Sequence, residues 1–151
     1  MIKVVPFHKK HMDLFEQRPD DLERYGKLTA EDIIPVFDYG QTFTCIHEGR
    51  IVMFGGILEV TKHTGRCATL VSIYADECIT ELLRELKKQL EMMMRCMGLH
   101  RIETSNMVDA LDHIRWCRLL GFVDEGEMKL YDDRGRTFLR MAKTLEAGNG
   151  T

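Results

Sequence analysis

The stretch from Arg101 to Tyr131, RIETSNMVDALDHIRWCRLLGFVDEGEMKLY, constrains what this chain can fold into more than any other. A short β-like run, Arg101 to Thr104, leads through a polar turn into a helix that carries Trp116 and Leu119 or Leu120. Gly121 comes directly after the last apolar helical position. A glycine there can take the left-handed conformation that ends a helix, and Phe122 can fold back to cover the final turn. The chain then returns as a strand, so the stretch reads as strand, helix, stop and strand.

The rest of the sequence fits one α/β or α+β domain around that unit. A chain of 151 residues that is 44% hydrophobic and 30% charged is long enough to bury a real core. We expect a single domain over residues 1–145 and a frayed polar tail over 146–151. The formal charge is −3 with acids and bases scattered, which argues against the basic footprint of a nucleic-acid binder. No apolar run approaches the ~20 residues needed to span a bilayer, and the patch from Val4 to Phe7 is too short for a signal-peptide core. The expectation is a cytoplasmic protein that is neither secreted nor embedded in a membrane. Cys45, Cys67, Cys78, Cys96 and Cys117 are odd in number and lack C-x-x-C spacing, which suits reduced thiols serving as small core residues.

Taken in order, residues 2–7 predict an edge strand stopped by Pro6, followed by a short helix. His8 and His11 lie three apart near its start, but a metal site needs three or four convergent ligands, so they read as surface histidines. Gln17 to Lys27 reads as a loop or weak helix. Thr29 with Asp32 resembles a capping arrangement that would open a short helix through Ile33, Ile34 and Phe37, kinked or cut short by Pro35. Gln41 to His47 and Ile51 to Val60 form a β-hairpin around Glu48-Gly49-Arg50, with Gly55-Gly56 marking a bulge or a close backbone approach. The turn Thr61 to Arg66 leads to a strand over Cys67 to Ala75. Asp76 to Met97 is the clearest helix, with Ile79, Leu82, Leu83, Leu86, Leu90, Met93, Met94 and Met97 recurring at three and four and Gly98 ending it. Its methionines read as flexible core filling rather than a binding surface. Asp132 to Gly135 joins two last strands, Glu127 to Tyr131 and Arg136 to Ala142.

The strand, the Leu120-Gly121-Phe122 helix end, Glu125-Gly126, Tyr131, Gly135 and Met141 together resemble the C-terminal half of the GNAT superfamily of N-acetyltransferases. The predicted order β-α-α-β-β-β-α-β-α-β-β is that of the GNAT fold. The resemblance implies a central, mostly antiparallel mixed sheet with splayed middle strands and helices on both faces. Within the superfamily the chain is most similar to small GNAT-like proteins of tailed phages, of the internal virion protein A type. The likeness rests on Arg101-Ile102-Glu103, Arg115-Trp116, Leu119-Leu120-Gly121-Phe122, Met128-Lys129-Leu130-Tyr131 and Gly135. It implies a phage gene product acting in the cytoplasm of a bacterial host, or associated with the virion.

Acetyl transfer from a thioester to an amine needs a free amine lone pair, donors facing the carbonyl oxygen and a proton for the leaving thiolate. The resemblance implies that Ser72, Ile73, Tyr74 and Ala75 form the thioester-facing edge of the fourth strand. It further implies that Cys78, Ile79 and Thr80 lie at the turn and helix start where acetyl-CoA places its pyrophosphate. That turn, Asp76-Glu77-Cys78-Ile79-Thr80, lacks the family's glycine and basic residue. An Asp at a helix N-terminus can cap the N–H groups that a phosphate would use, and two carboxylates repel a pyrophosphate. Either the helix is self-capped and the cradle lost, or coenzyme A binds through the strand backbone and basic residues elsewhere. The family's usual Tyr acid falls on Cys117, leaving Tyr74 and Tyr131 as alternative donors. Glu103 is the candidate base by residue type, against the reading of an exposed carboxylate at a strand end.

Two functions are therefore carried forward. One is an acetyl-CoA-dependent N-acyltransferase acting on an amine of a protein or small molecule. The other is a noncatalytic accessory protein that keeps the scaffold and binds a host or virion protein. Either suits a monomer or homodimer. The transferase reading depends on the strand before Asp76 splaying from the strand of Glu103 to admit a pantetheine arm; strands zipped along their full length would leave a scaffold alone.

Overall fold

The computed structural model describes residues 1–29, 32 and 41–145 of the chain. Among these, the seven strands and the two helices after β4 follow the predicted order, which begins with β1 (Ile2–Pro6), a 3-10 turn (Lys9–Leu14), α1 (Pro19–Tyr25), β2 (Gln41–His47), β3 (Arg50–Thr61) and β4 (Thr64–Val71). A second 3-10 turn (Ala75–Cys78), α2 (Ile79–Met97), β5 (Arg101–Met107), α3 (Leu111–Leu119), β6 (Val123–Met128) and β7 (Phe138–Thr144) complete it. The strands hydrogen-bond in the order β1-β2-β3-β4-β5-β7-β6, a mixed sheet of seven. The residues cluster into two units, Met1–Leu58 with Cys67–Glu85, and Glu59–Arg66 with the described residues from Leu86 onward.

In the first unit β1 pairs antiparallel with β2 and lies at an end of the strand order, as the proline predicts; Pro6, its last residue, has no N–H to offer a ladder. The β2–β3 hairpin forms as expected. Its tip is turned by Glu48 and Gly49, both at positive φ. Gly55 faces Phe43 across the ladder, and a Cβ added at Gly55 would come within 2.5 Å of the Phe43 ring. The predicted close approach is therefore a ring lying on bare backbone. Ile51 and Phe54 anchor a core against Phe7, Met12, Phe15, Leu28, Ile46 and Leu70.

Several boundaries differ from the sequence reading. The short helix after β1 is a 3-10 turn whose start is closed by two histidines: the His8 N–H donates to His11 Nδ1, and His8 Nδ1 accepts from the Lys10 N–H. His11 is not a surface residue. It is half-buried, stacks on Phe54 and receives the Thr44 hydroxyl at 2.8 Å. The stretch from Gln17 to Lys27 holds α1, because Pro19 starts it without losing a bond, Asp20 and Asp21 suit its first turn and Gly26 closes it at φ 73°. The Asp32 carboxylate accepts both the N–H and the hydroxyl of Thr29, half of the predicted capping arrangement. Ile33, Ile34, Pro35 and Phe37 lie outside the described residues.

In the second unit Thr64, Gly65 and Arg66 of β4 pair in parallel with Arg101, Ile102 and Glu103 of β5. The turn predicted over Thr61 to Arg66 shrinks to Lys62 and His63, because the Thr61 and Thr64 hydroxyls bond each other at 2.6 Å and let both strands reach the tip. β5 pairs antiparallel with β7 over seven positions, and β6 pairs with β7. The predicted strands Glu127–Tyr131 and Arg136–Ala142 are displaced to Val123–Met128 and Phe138–Thr144. β6 ends the sheet and leaves nearly all its residues exposed, so it carries no alternation to mark its limits. Asp132 organises the intervening turn by accepting the N–H groups of Arg134 and Arg136 and the Arg136 guanidinium.

The end of α3 follows the sequence prediction closely. The Phe122 N–H donates to the Cys117 carbonyl and the Gly121 N–H to that of Arg118, with Gly121 at φ 98°, which is the Schellman arrangement. Phe122 is buried and covers the last turn. In α2 the core-facing row is Leu82, Leu86, Leu90 and Met94, all fully buried. Met93 and Met97 are half-buried and Met92 is exposed, so core filling by methionine centres on Met94.

Candidate functional site

The candidate cofactor residues gather in the first unit at the end of β4. They do not form a strand edge, because β4 stops at Val71, Ser72 makes only an isolated bridge to Gln17 and the chain turns at Ile73 and Tyr74. The buried Ser72 hydroxyl accepts the Tyr74 N–H at 3.2 Å, a local bond that competes with extended backbone. The Ser72 N–H donates to the Val52 carbonyl at 2.9 Å and the Ile73 N–H to the Glu16 carbonyl at 3.1 Å. The Ala75 and Glu77 amides close the 3-10 turn on the carbonyls of Ser72 and Tyr74. The expectation of a strand through Ala75 and of a helix from Asp76 is corrected accordingly, with the α-helix starting at Ile79.

Tyr74 is clamped on both sides. Its hydroxyl donates to Glu16 Oε1 at 2.6 Å, and the Arg50 guanidinium lies 4.6 Å above its ring. The bond to Glu16, aided by some desolvation, holds the phenol above its ordinary pKa, so the proton stays on Tyr74 and points at a carboxylate. Asp76 does not cap the helix as the sequence suggested. Its two oxygens face Arg18 Nη1 and Nη2 at 3.2 and 3.5 Å, a two-pronged pairing. Cys78 is buried, and desolvation pushes its thiol up; Ile79 is half-buried and Thr80 exposed in the first turn of α2.

A pyrophosphate needs backbone N–H groups aimed outward and positive charge around them. Here the amides of Ser72, Ile73, Tyr74, Ala75 and Glu77 are all spent within the first unit, and Asp76 and Glu77 are exposed carboxylates. In this conformation the turn does not fit a pyrophosphate.

The other candidates lie in the second unit. Glu103 is half-buried on β5 with both oxygens engaged: Oε1 meets Arg101 Nε at 3.0 Å and Oε2 meets Arg140 Nη1 at 2.8 Å. Arg101 also grips Glu125, whose carboxyl this bond holds below its ordinary range, while the bond to Glu125 raises the Arg101 guanidinium further. A carboxylate held by two guanidiniums is a strand-crossing tie, with both of its oxygens committed to hydrogen bonds. Cys117 is buried, its thiol is pushed up by desolvation, and Asn106 Nδ2 points at its sulfur from 3.4 Å. It keeps its proton in the interior. Tyr131 is 44% exposed, with its ring 5.1 Å from Phe138. Phe138 pairs with Met107, four residues along β5 from Glu103 and so roughly 13 Å away along the strand. Glu103 and Tyr131 are not brought together.

The sequence reading missed Glu16, Arg18 and Arg50 around Tyr74, and Arg140 beside Glu103. Glu16 and Arg18 precede their partners by 58 residues, and nothing in local spacing marks such a pairing. Among the described residues no group of three or more His, Cys, Asp or Glu could hold a metal ion, and no helix is long and apolar enough to cross a membrane.

No family model matches this chain, and no curated protein matches its sequence. Its fold, however, is that of the GNAT acetyltransferases. Ard1 from Thermoplasma volcanium superposes with a TM-score of 0.78 at 13% identity, over 97% of this chain and 99% of that one. The yncA protein of Salmonella typhimurium, solved with its cofactor acetyl-CoA, gives 0.74 at 12% identity over 98% and 96% of the two chains. A chimera of the spermidine N-acetyltransferase SpeG from Vibrio cholerae with hSSAT gives 0.74 at 10% identity, over 95% of each.

Proposed function

We propose that this chain is an acetyl-CoA-dependent N-acyltransferase that transfers an acetyl group to an amine of a protein or small molecule. The observation that carries the reading is the fold shared over nearly the whole chain with acetyltransferases, one of them solved with acetyl-CoA and another named for a polyamine acceptor. Fold supports activity only by analogy, so the proposal is tested on binding. A thermal-shift titration with acetyl-CoA should raise the melting temperature, since a ligand at about a hundred times its Kd adds about 2.7 kcal/mol of stability. No shift at roughly millimolar cofactor overturns the reading. The likeness to small phage proteins supports a phage gene product working in the host cytoplasm.

A second reading is favoured by the state of the candidate residues. Glu103 is held between two arginines, Cys117 replaces the family's Tyr, and the turn after β4 has spent its amides. A GNAT-fold accessory protein that binds a host or virion protein without transferring anything would need none of them. The same titration separates the two, and acyl transfer by the Glu103→Gln variant tests the base directly: unchanged turnover removes Glu103 from that role.

A further inference from the structure

The turn after β4 bonds five of its amides inward. The Ser72 and Ile73 N–H groups donate to the Val52 and Glu16 carbonyls at 2.9 and 3.1 Å, and the Tyr74 N–H to the Ser72 hydroxyl at 3.2 Å. Those of Ala75 and Glu77 donate to the Ser72 and Tyr74 carbonyls at 3.3 and 3.4 Å. The charges it turns outward are negative. Asp76 is 70% exposed, Glu77 is exposed, and Glu81 follows in the first turn of α2, where it takes the Ile2 N–H at 2.7 Å. The guanidiniums of Arg18 and Arg50 at this turn are engaged, the first with Asp76 and the second over the Tyr74 ring. Parting Arg18 from Asp76 would uncover as much negative charge as positive, and the five amide bonds do not involve that pair.

We infer that this chain recognises its acyl donor by the pantetheine thioester and not by the diphosphate, so that its donor class is the thioesters of pantetheine with or without a nucleotide. The inference rests on the transferase reading above and names the donor that the misfit of the turn leaves to it. The diphosphate of acetyl-CoA is a handle: acetyl transfer breaks the thioester C–S bond, and no atom of the nucleotide changes its bonding. Where a protein grips that handle, each charge-assisted hydrogen bond to it favours the whole molecule over its pantetheine fragment by roughly tenfold or more. A turn whose amides are bonded inward and whose outward charges are negative gives no such preference. Its carboxylates add a repulsion, which water and salt keep small. The nucleotide therefore contributes nothing to affinity here, and the two donors bind alike.

The test titrates the full wild-type chain by calorimetry with acetyl-CoA and, separately, with S-acetylpantetheine, which carries the same thioester without the nucleotide. S-acetylpantetheine should bind at least as tightly as acetyl-CoA, to within about threefold. Acetyl-CoA should also bind no more weakly in roughly ten-millimolar pyrophosphate than in sodium chloride of the same ionic strength. An advantage of acetyl-CoA beyond that threefold margin, or its displacement by pyrophosphate, means that the diphosphate is gripped by other residues; the inference then falls and the transferase reading stands. Binding of S-acetylpantetheine alone upholds the inference and removes acetyl-CoA as the donor. Binding of neither overturns the transferase reading, and the inference with it.

Discussion

The ammonium of Lys143 lies against Gly121 at the place where any other residue would carry its β-carbon. A Cβ built on Gly121 would be 2.8 Å from Lys143 Nζ. That ammonium is buried and committed, donating to the Leu120 carbonyl at 2.8 Å and to Glu91 at 3.2 Å. Gly121 thus serves both the left-handed stop of α3 and the room above a buried cation. Gly121→Ala should lower the unfolding free energy by about 1–3 kcal/mol, with the steric approach adding to the backbone strain at φ 98°. Urea unfolding reads this as a lower midpoint at unchanged slope.

His11 makes stability depend on pH. Desolvation, aided by the neighbouring His8, holds its imidazole below the ordinary histidine pKa, and its Nδ1 is already accepting the His8 N–H. The folded state therefore prefers neutral His11, and the unfolded chain binds the proton more readily. Its contribution is present above about pH 6.5 and is lost as pH falls through that value toward the lower folded pKa. Urea midpoints taken from pH 7.5 down to 5.0 should fall more steeply for the wild type than for His11→Gln. Equal slopes would show that His11 is not the group responsible.

Thiol reactivity should single out one cysteine. Cys96 is exposed, whereas Cys45, Cys67, Cys78 and Cys117 are buried, and burial pushes Cys45 up to about 12. The thiolate is the reactive form, so at pH 8 an aromatic disulfide reagent should label Cys96 rapidly and the other four only after unfolding. Rapid labelling of Cys117 would restore it as a candidate proton donor.

Features written in neighbouring residues were legible in the sequence. The Gly121-Phe122 stop, the hairpin around Glu48-Gly49 and the bare backbone at Gly55 each depend on a local conformation or a local pairing. The fold followed from their order. The state of the candidate site did not, because it depends on partners distant in sequence. Glu103 looked like a base until Arg140, 37 residues on, was found holding it. Asp76 looked like a cap until Arg18 was found pairing with it. Ser72 to Ala75 looked like strand because β-propensity cannot register that the Ser72 hydroxyl bends the backbone to take the Tyr74 N–H. The limits of β6 were hidden because an exposed strand carries no periodic signature.

That last strand bears on how copies of the chain behave when crowded. The outer edge of a terminal strand offers a ladder of backbone groups on which another extended segment could zip, the first step toward fibrous aggregates. Between Asp124 and Gly126 the register of β6 slips by a bulge, and Asp124, Glu125 and Glu127 line the same short run. A like strand arriving there would meet broken spacing and its own carboxylates, so self-templating along this rim is disfavoured even at high concentration.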